Sequence, residues 1–426
     1  MRLGGRLAAA IEVLDDIERR RRPAADALKD WGLSHRFAGA GDRGAIGNIV
    51  YGALRRKRSA HWLFDAETPR AAAIGALLLE WNLTARALNA TLEGDRFAPA
   101  PLHVGEIASI EAQDAALAPD VVRADCPDWC EPLLRASFGD GWVEEGRALS
   151  GRPPLDLRAN TLLSDRHAVM AELTGMQASA SRLAPDGIRI PPIDGAGRHP
   201  NVQAEPAFQK GWFEVQDEGS QLVALLAGAE AGMQVLDFCA GAGGKTLAMA
   251  ASMRNSGQIF AFDSEKARLA PIFDRIRRGG CRNVQVVAKP GELTALEGRM
   301  DLVLVDAPCT GSGTWRRRPD AKWRLSARQL EVRRAEQSKI LDHASRFVKP
   351  GGRLAYVTCS VFREENQDQV DVFLARDGGF TAEAPGNVWR HAQLPFPAPV
   401  SGDGIVLTPH NTGTDGFFFA ALRRTV

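Results

Sequence analysis

Six cysteines occur in the chain, and two of them stand where a thiol could do chemistry. Cys309 lies in VLVDAPCTGSGTW (303–315) and Cys359 in AYVTCS (355–360), each one to four residues beyond a short apolar run. A thiolate adds to electron-poor carbon and leaves again, so two thiols at one place suit covalent catalysis in which one sulfur attacks and a second group lets it go. A free cysteine is only a few per cent ionised near neutrality, so a cation should stand close by; Lys245, in GGKT, is the candidate.

The two runs have the length and apolar character of strands buried on both faces. If they neighbour each other in a parallel doubly wound sheet, both cysteines fall outside the carboxyl ends of the strands, where such sheets bind and transform ligands.

The 426 residues suffice for two or three domains, and 45% hydrophobic with 25% charged residues is ordinary globular composition. A net charge of +1 excludes binding of polyanions by the overall field; nucleic-acid contact would need local clusters of Arg and Lys. No stretch approaches eighteen uncharged apolar residues and LAAAI is cut short by Glu12, so neither a membrane span nor a secretory signal is expected and the reading is cytoplasmic. Six cysteines are too few for a disulfide framework, and without CxxC and with eight scattered histidines no metal site is expected. Cys126 and Cys130 read as inert structural thiols.

Residues 1–125 read as a helical accessory domain, with Leu7, Ile11, Leu14 and Ile17 at helical spacing. Its basic blocks at 19–22 and 55–58 read as solvated helix ends. Residues 126–210 read as a small α+β module, where Arg158 and Asn160, two apart on a strand, could grip a phosphate or base edge or equally form a structural pair. From 211 to 426 strands and helices alternate (MQVLD, QIFAFD, VQVVA, DLVLV, GRLAYVT), which predicts a doubly wound α/β sheet with GFFFAALRR as a last buried strand.

The first of these strands ends at Asp237 and runs into Cys239, Ala240, Gly241, Ala242, Gly243, Gly244 and Lys245 before a helix, a loop able to approach a ligand closely. A Walker loop is excluded because Cys239 stands where that motif needs glycine. The second strand ends at Asp263, whose carboxylate could take both hydroxyls of a ribose. An adenosine-containing cofactor follows, either a dinucleotide or S-adenosylmethionine; paired cysteines are foreign to hydride transfer. Carbon 5 of cytosine, by contrast, becomes nucleophilic once a thiolate adds to carbon 6, and Asp306 is placed to hold the pyrimidine.

The segments CAGAGGKT, FDSEKARL, DAPCTGSGTWRRRPDAKW and TCSVFREENQDQV, in that order, with LRAN, VQDEGSQL, PH and TDGFF between and beyond them, closely resemble the Sun/Nop family of RNA cytosine-5 methyltransferases, RsmB-like in bacteria. The resemblance implies a Rossmann-like class I methyltransferase fold with a helical NusB-like N-terminal domain and an RNA-binding module. It implies Cys359 as nucleophile, Cys309 assisting release, Asp306 and Lys245 lining the cytosine, and residues 239–245 with Asp263 and Asp306 binding S-adenosylmethionine. Small-subunit (16S) ribosomal RNA is the implied substrate, transfer RNA the alternative, and a monomer the expected state. A DNA cytosine-5 methyltransferase would use the Pro-Cys thiol alone, and a non-catalytic assembly factor would need neither cysteine.

Two departures from the family pattern stand out: Ala242 in place of proline, and Ala288-Lys289-Pro290 where an acidic residue is usual, which leaves Glu292 as a substitute near the adenine. Arg316, Arg317, Arg318, Lys322 and Arg324, interleaved with Trp315 and Trp323, read as an RNA-binding edge. Arg275, Arg277 and Arg278 read as a solvated helix face.

Overall fold

The computed structural model describes residues 1–81 and 83–425, with the side chain of residue 115 left aside. The chain forms two compact units. The first comprises Met1–Pro153, Pro192–His199 and Trp315–Leu325; the second comprises Pro154–Pro191, Pro200–Thr314 and Ser326–Val426. The residues expected to make one module over 126–210 are divided between them, because 126–153 are largely helical and pack with the helices before them.

The first unit is built on helices whose apolar residues recur every three or four positions. In Leu3–Arg20 the buried stripe is Leu7, Ala10, Leu14 and Ile17, with Ile11 at its margin. It shares a core with Ile46, Ile49 and Val50 of Ala40–Arg55 and with Ile74 and Leu77 of Pro69–Glu80. The last of these helices starts on an N-cap, Thr68 accepting from the Ala71 amide at 3.1 Å, with Pro69 in the first turn. Cys126 and Cys130 are buried here, and burial pushes the Cys126 thiol up to about 11 and Cys130 higher still.

The basic block at 55–58 is not a solvated helix end. Arg55 is buried and donates to the Arg316 carbonyl at 2.9 Å, Arg56 faces Glu80 and Asp125, Lys57 reaches Glu18, and Arg58 pairs with Asp128. The block at 19–22 has exposed arginines paired with Asp15 and Asp16, while Arg22 bridges Asp16 and Asp30.

The second unit carries two sheets. Strands β1 (Leu155–Ala159), β2 (Ser179–Ala180), β3 (Gly187–Ile190) and β4 (Phe213–Val215) form an antiparallel sheet in the order β2-β3-β1-β4. Strands β5 (Gln234–Asp237), β6 (Gln258–Phe262), β7 (Val284–Val287), β8 (Met300–Asp306), β9 (Val348–Thr358), β10 (Phe380–Ala382), β11 (Val400–Ser401), β12 (Gly404–Leu407) and β13 (Phe417–Arg424) form the large sheet, ordered β11-β12-β13-β9-β8-β5-β6-β7 with β10 paired to β13. Pairing is parallel from β9 through to β7; β13, the expected last buried strand, runs antiparallel to β9.

Both faces of this sheet are covered, which is why its strands read as unbroken apolar runs. Along β8 and β9, Leu302, Leu304, Ala355 and Val357 enter one core while Val303, Val305, Leu354 and Tyr356 enter the other. The chain runs outward from β5 to β6 and β7, then returns to β8 on the other side of β5, so β5 and β8 flank a topological switch point. Among the described residues no helix is long and apolar enough to cross a membrane, and no cluster of His, Cys, Asp and Glu could hold a metal ion.

Candidate active site

Register places the two cysteines. Asp306 at the end of β8 lies opposite Val357 of β9, so the loops leaving both strands start side by side. The thiols of Cys309 and Cys359 are 3.4 Å apart and unbonded. Their loops are stitched together: the Gly313 amide donates to the Cys359 carbonyl at 3.0 Å, Ser312 Oγ meets Ser360 Oγ at 2.9 Å, and the Val361 amide donates to Ser312 Oγ at 2.9 Å.

Beneath the Cys309 loop lies Glu365, fully buried. It accepts from the Thr310 amide (2.9 Å), the Thr310 hydroxyl (2.5 Å) and Gln337 Nε2 (3.0 Å), and Gln337 also donates to the Pro308 carbonyl at 2.9 Å. Burial raises the Glu365 carboxyl, and these donors pull the other way. Thr358, Asn366 and the Ser360 carbonyl make a second set of bonds behind Cys359, at 2.5 and 2.9 Å. Glu365 and Asn366 fall within the recognised TCSVFREEN block without a role having been read for them. Gln337, mid-helix in Ala327–Ala344, carried no signal at all.

Lys245 stands at the start of the helix Gly244–Ser252, its ammonium 2.5 Å from Asp306 Oδ2 and 5.4 Å above the Phe417 ring. Burial works against this charge, but the Asp306 carboxylate outweighs it and holds Lys245 above the usual range. The Cys309 thiol is raised well above its usual value, first by its hydrogen bond to Cys359 and then by burial.

The glycine loop is fixed at three points. Asp237 accepts from Thr246 Oγ1 at 2.6 Å, tying the end of β5 to the helix; the Ala240 amide donates to the Phe262 carbonyl at 2.8 Å; and Asp263 accepts from the Gly241 amide at 3.0 Å. Gly243 takes a left-handed conformation at φ 84°, and a Cβ there would lie 2.4 Å from Ile272. Burial pushes the Asp237 carboxyl up to about 7, and it raises the Cys239 thiol well above its usual value. Cys239, Ala240, Gly241, Ala242, Gly243, Gly244, Lys245, Asp263 and Asp306 thus converge around the switch point.

These groups fit an adenosine-containing cofactor. Near Gly241 the closest atoms to an added Cβ are an Arg268 nitrogen at 3.6 Å and an Asp263 oxygen at 3.9 Å, so backbone can approach a ligand there. The Asp263 carboxylate, also 3.6 Å from Arg268, supplies acceptors for a ribose. Lys289, Pro290 and Glu292 are exposed beyond β7, and the geometry gives Glu292 no partner-specific role.

Several expected RNA contacts are corrected by burial. Arg158 is buried and donates to Gln216 Oε1 at 2.7 Å; Asn160 is buried and donates to the carbonyls of Gly211 (2.8 Å) and Gly279 (2.9 Å). These residues clasp the small sheet to the large one. Arg275 and Arg278 are no solvated face either, since both close on the buried Glu214 of β4, whereas Arg277 is 81% exposed. In the first unit Arg316 and Lys322 are buried, Arg317 is half-buried and Arg318 exposed. A cation enclosed by protein cannot neutralise phosphate, and a sequence pattern of Arg, Lys and Trp does not distinguish an edge from a core.

Similarity to known proteins accords with this geometry. Residues 223–423 match the family model of the 16S rRNA methyltransferase RsmB/F, and residues 126–192 match the ferredoxin-like domain of RsmF/B-like methyltransferases. The ribosomal RNA small subunit methyltransferase B of Sodalis glossinidius is 33% identical over 309 residues, 71% of this chain and 70% of that protein. Its counterpart in Enterobacter sp. (strain 638) is 33% identical over 66% of this chain; the match spans just under two thirds of that protein, 64%. Among solved structures, PH0851 superposes with a TM-score of 0.74 at 25% identity over 100% of this chain and 99% of that one. A methyltransferase homologue from Pyrococcus horikoshii gives 0.60 at 25% identity over 72% of this chain and all of its own. With a glycine loop, a buried Lys–Asp pair and two adjacent thiols at the switch point of a sheet shared with these proteins, the chain belongs to the RsmB/F methyltransferase family.

Proposed function

We propose that the protein is an S-adenosylmethionine-dependent RNA cytosine-5 methyltransferase acting on 16S ribosomal RNA. The observation that carries this reading is the 3.4 Å approach of Cys309 and Cys359 beside the Lys245–Asp306 pair. S-adenosylmethionine, held by the loop at 239–245 with Asp263, supplies an electrophilic methyl group.

The contact with Cys359 and burial together hold the Cys309 thiol well above its usual range, so Cys309 keeps its proton. Cys359 is then the sulfur that adds to carbon 6 of an unpaired cytosine, which moves the ring's electron pair to carbon 5. Asp306, fixed by Lys245, accepts from the exocyclic amino group, and the Lys245 ammonium beside it meets the negative charge arising on the ring. Once Cys359 is bonded to carbon, Cys309 loses the partner that held its proton. It releases that proton to solvent and takes the one from methylated carbon 5; the carbon 6–sulfur bond breaks and the aromatic ring returns. Glu365 and Gln337 position Cys309 for this by bracing its loop. Arg318, exposed, is the residue of the 316–322 cluster placed to meet phosphate.

The test is incubation of wild type, Cys309→Ala and Cys359→Ala with labelled S-adenosylmethionine and unmodified ribosomal RNA, followed by a denaturing gel. Cys309→Ala should accumulate a protein–RNA adduct that survives denaturation, and Cys359→Ala should neither trap nor methylate. Reversed trapping would exchange the roles, and transfer to transfer RNA alone would keep the chemistry and change the substrate.

A further inference from the structure

The helix Ile272–Arg278 sits between the glycine loop and the small sheet and meets both closely. On one side Ile272 fills the space that a Cβ on Gly243 would need. On the other, a Cβ on Gly211 would overlap the Arg278 carbonyl, so the turn leading into β4 runs against the end of the helix.

Arg275 reaches in both directions at once. Its Nε and Nη2 donate to one oxygen of Glu214 in β4, at 3.3 and 2.9 Å, and its Nη1 donates to the Ala242 carbonyl at 2.8 Å. Glu214 is buried, and Arg278 takes its other oxygen. A carboxylate enclosed by protein and paired on both oxygens is a fixed point. Ala242 is exposed and does not lock its own φ as a proline ring does, so the shape of the loop there is open to a restraint from outside.

A second bond runs the same way. Gln216, just past β4, accepts from Arg158 at 2.7 Å and donates to the Gly244 carbonyl at 3.3 Å. The small sheet thus reaches the loop at two carbonyls, one on each side of Gly243, whereas the bonds of Asp237, Ala240 and Gly241 tie it to strand ends of its own sheet. Bonds to these carbonyls set where the neighbouring amides point, and those amides are what a glycine loop offers a ligand.

We propose that Arg275 is a positioning residue for S-adenosylmethionine: by fixing the Ala242 carbonyl against Glu214 it holds the 239–245 loop in the shape that takes the cofactor. The proposal rests on the reading of that loop as the cofactor site. Among the described residues Arg275 bonds neither thiol nor the Lys245–Asp306 pair, so its loss should loosen the cofactor and spare the transfer step. A lysine cannot replace it, because one ammonium drawn to the buried carboxylate leaves the carbonyl without a donor, where the guanidinium fork serves both.

The experiment compares wild type, Arg275→Lys and Arg278→Lys as full chains. Both variants keep a positive charge against Glu214, and melting curves check that they fold. Arg278→Lys is the matched control, since among the described residues Arg278 pairs with the same carboxylate and has no hydrogen bond to the loop. Two quantities are read: hydrogen exchange in peptides covering 238–247 without cofactor, and the Kd for S-adenosylmethionine by calorimetry. Arg275→Lys should speed exchange in that segment and weaken the cofactor about 3- to 10-fold, with kcat at saturating cofactor and KM for ribosomal RNA held within about twofold. Arg278→Lys should move neither exchange nor Kd by more than about twofold. Unchanged cofactor affinity in Arg275→Lys overturns the proposal, and so do equal changes in the two variants, which would trace the effect to the Glu214 charge. A wild type that binds no S-adenosylmethionine sinks the cofactor reading instead, and the exchange contrast between the variants then decides by itself whether Arg275 anchors the loop.

Discussion

Among the described residues two lysines are buried, one in each compact unit, and they end in opposite states. Lys245 has a carboxylate 2.5 Å away, and that charge overcomes the cost of burial and holds the ammonium above its usual range. Lys322 has neutral acceptors, Ser150 Oγ at 2.9 Å and the Asp125 carbonyl, with Trp323 and Trp315 ring centres at 4.9 and 5.8 Å. Burial dominates there and brings it down to about 8. Carbonyls and ring faces help a buried cation, but only a full opposite charge repays its lost hydration. In the second unit the cation stands against a carboxylate at the strand ends. In the first it locks residues 315–325 among the helices, where Trp323 Nε1 also donates to the Leu54 carbonyl at 2.7 Å and the Ala24 amide reaches Asp320 at 3.4 Å.

The contrast can be broken most severely at Lys245. Lys245→Met leaves Asp306 without its partner and should lower kcat for methyl transfer about 100- to 1,000-fold, the size of losing one charge-stabilising donor at a reacting centre. Single-turnover rates with saturating cofactor measure it, and a loss under tenfold would mean that Asp306 needs no cation. Glu365→Gln comes next. It turns one of the two oxygens that accept from Thr310 and Gln337 into an NH2 donor, and should cost about 10-fold in transfer with adduct formation less affected, because Cys309 rather than Cys359 loses its support. A quench assay of adduct against product separates the two.

Lys322→Met acts on stability instead. It strands the Asp125 carbonyl and the Ser150 hydroxyl and should destabilise the first unit by about 1–3 kcal/mol, seen as a lower denaturant midpoint, with kcat nearly unchanged. The smallest effect is in pH. Between about 8 and the ordinary lysine value near 10.4 the unfolded chain holds a proton on Lys322 that the folded chain has lost, so this group adds stability as pH rises through that window. The gain should vanish in Lys322→Met. An unchanged slope would assign it to other groups.

The same two regions show where sequence reading holds and where it slips. The doubly wound sheet was legible because strands buried on both faces must be apolar throughout, and the meeting of thiols, glycine loop and acids was legible because they lie in short segments at strand ends. The residues that brace them were less so. Glu365 sits inside a recognised block, but that it lies beneath the Cys309 loop depends on the register of β8 against β9; Gln337 comes from a helix between them with no local mark. RNA contacts fared worst, since a strand alternation that puts Arg158 and Asn160 on one side does not say whether that side faces solvent or Gln216, Gly211 and Gly279.

By itself the sequence determined the order of the elements, the sheet class and the short segments that meet at the strand ends, because periodicity and turn chemistry are local properties. Only the tertiary structure decided which buried cation meets a full counter-charge and which is held by neutral acceptors. That depends on what lies within a few ångströms of each charge, and chain neighbours seldom supply it.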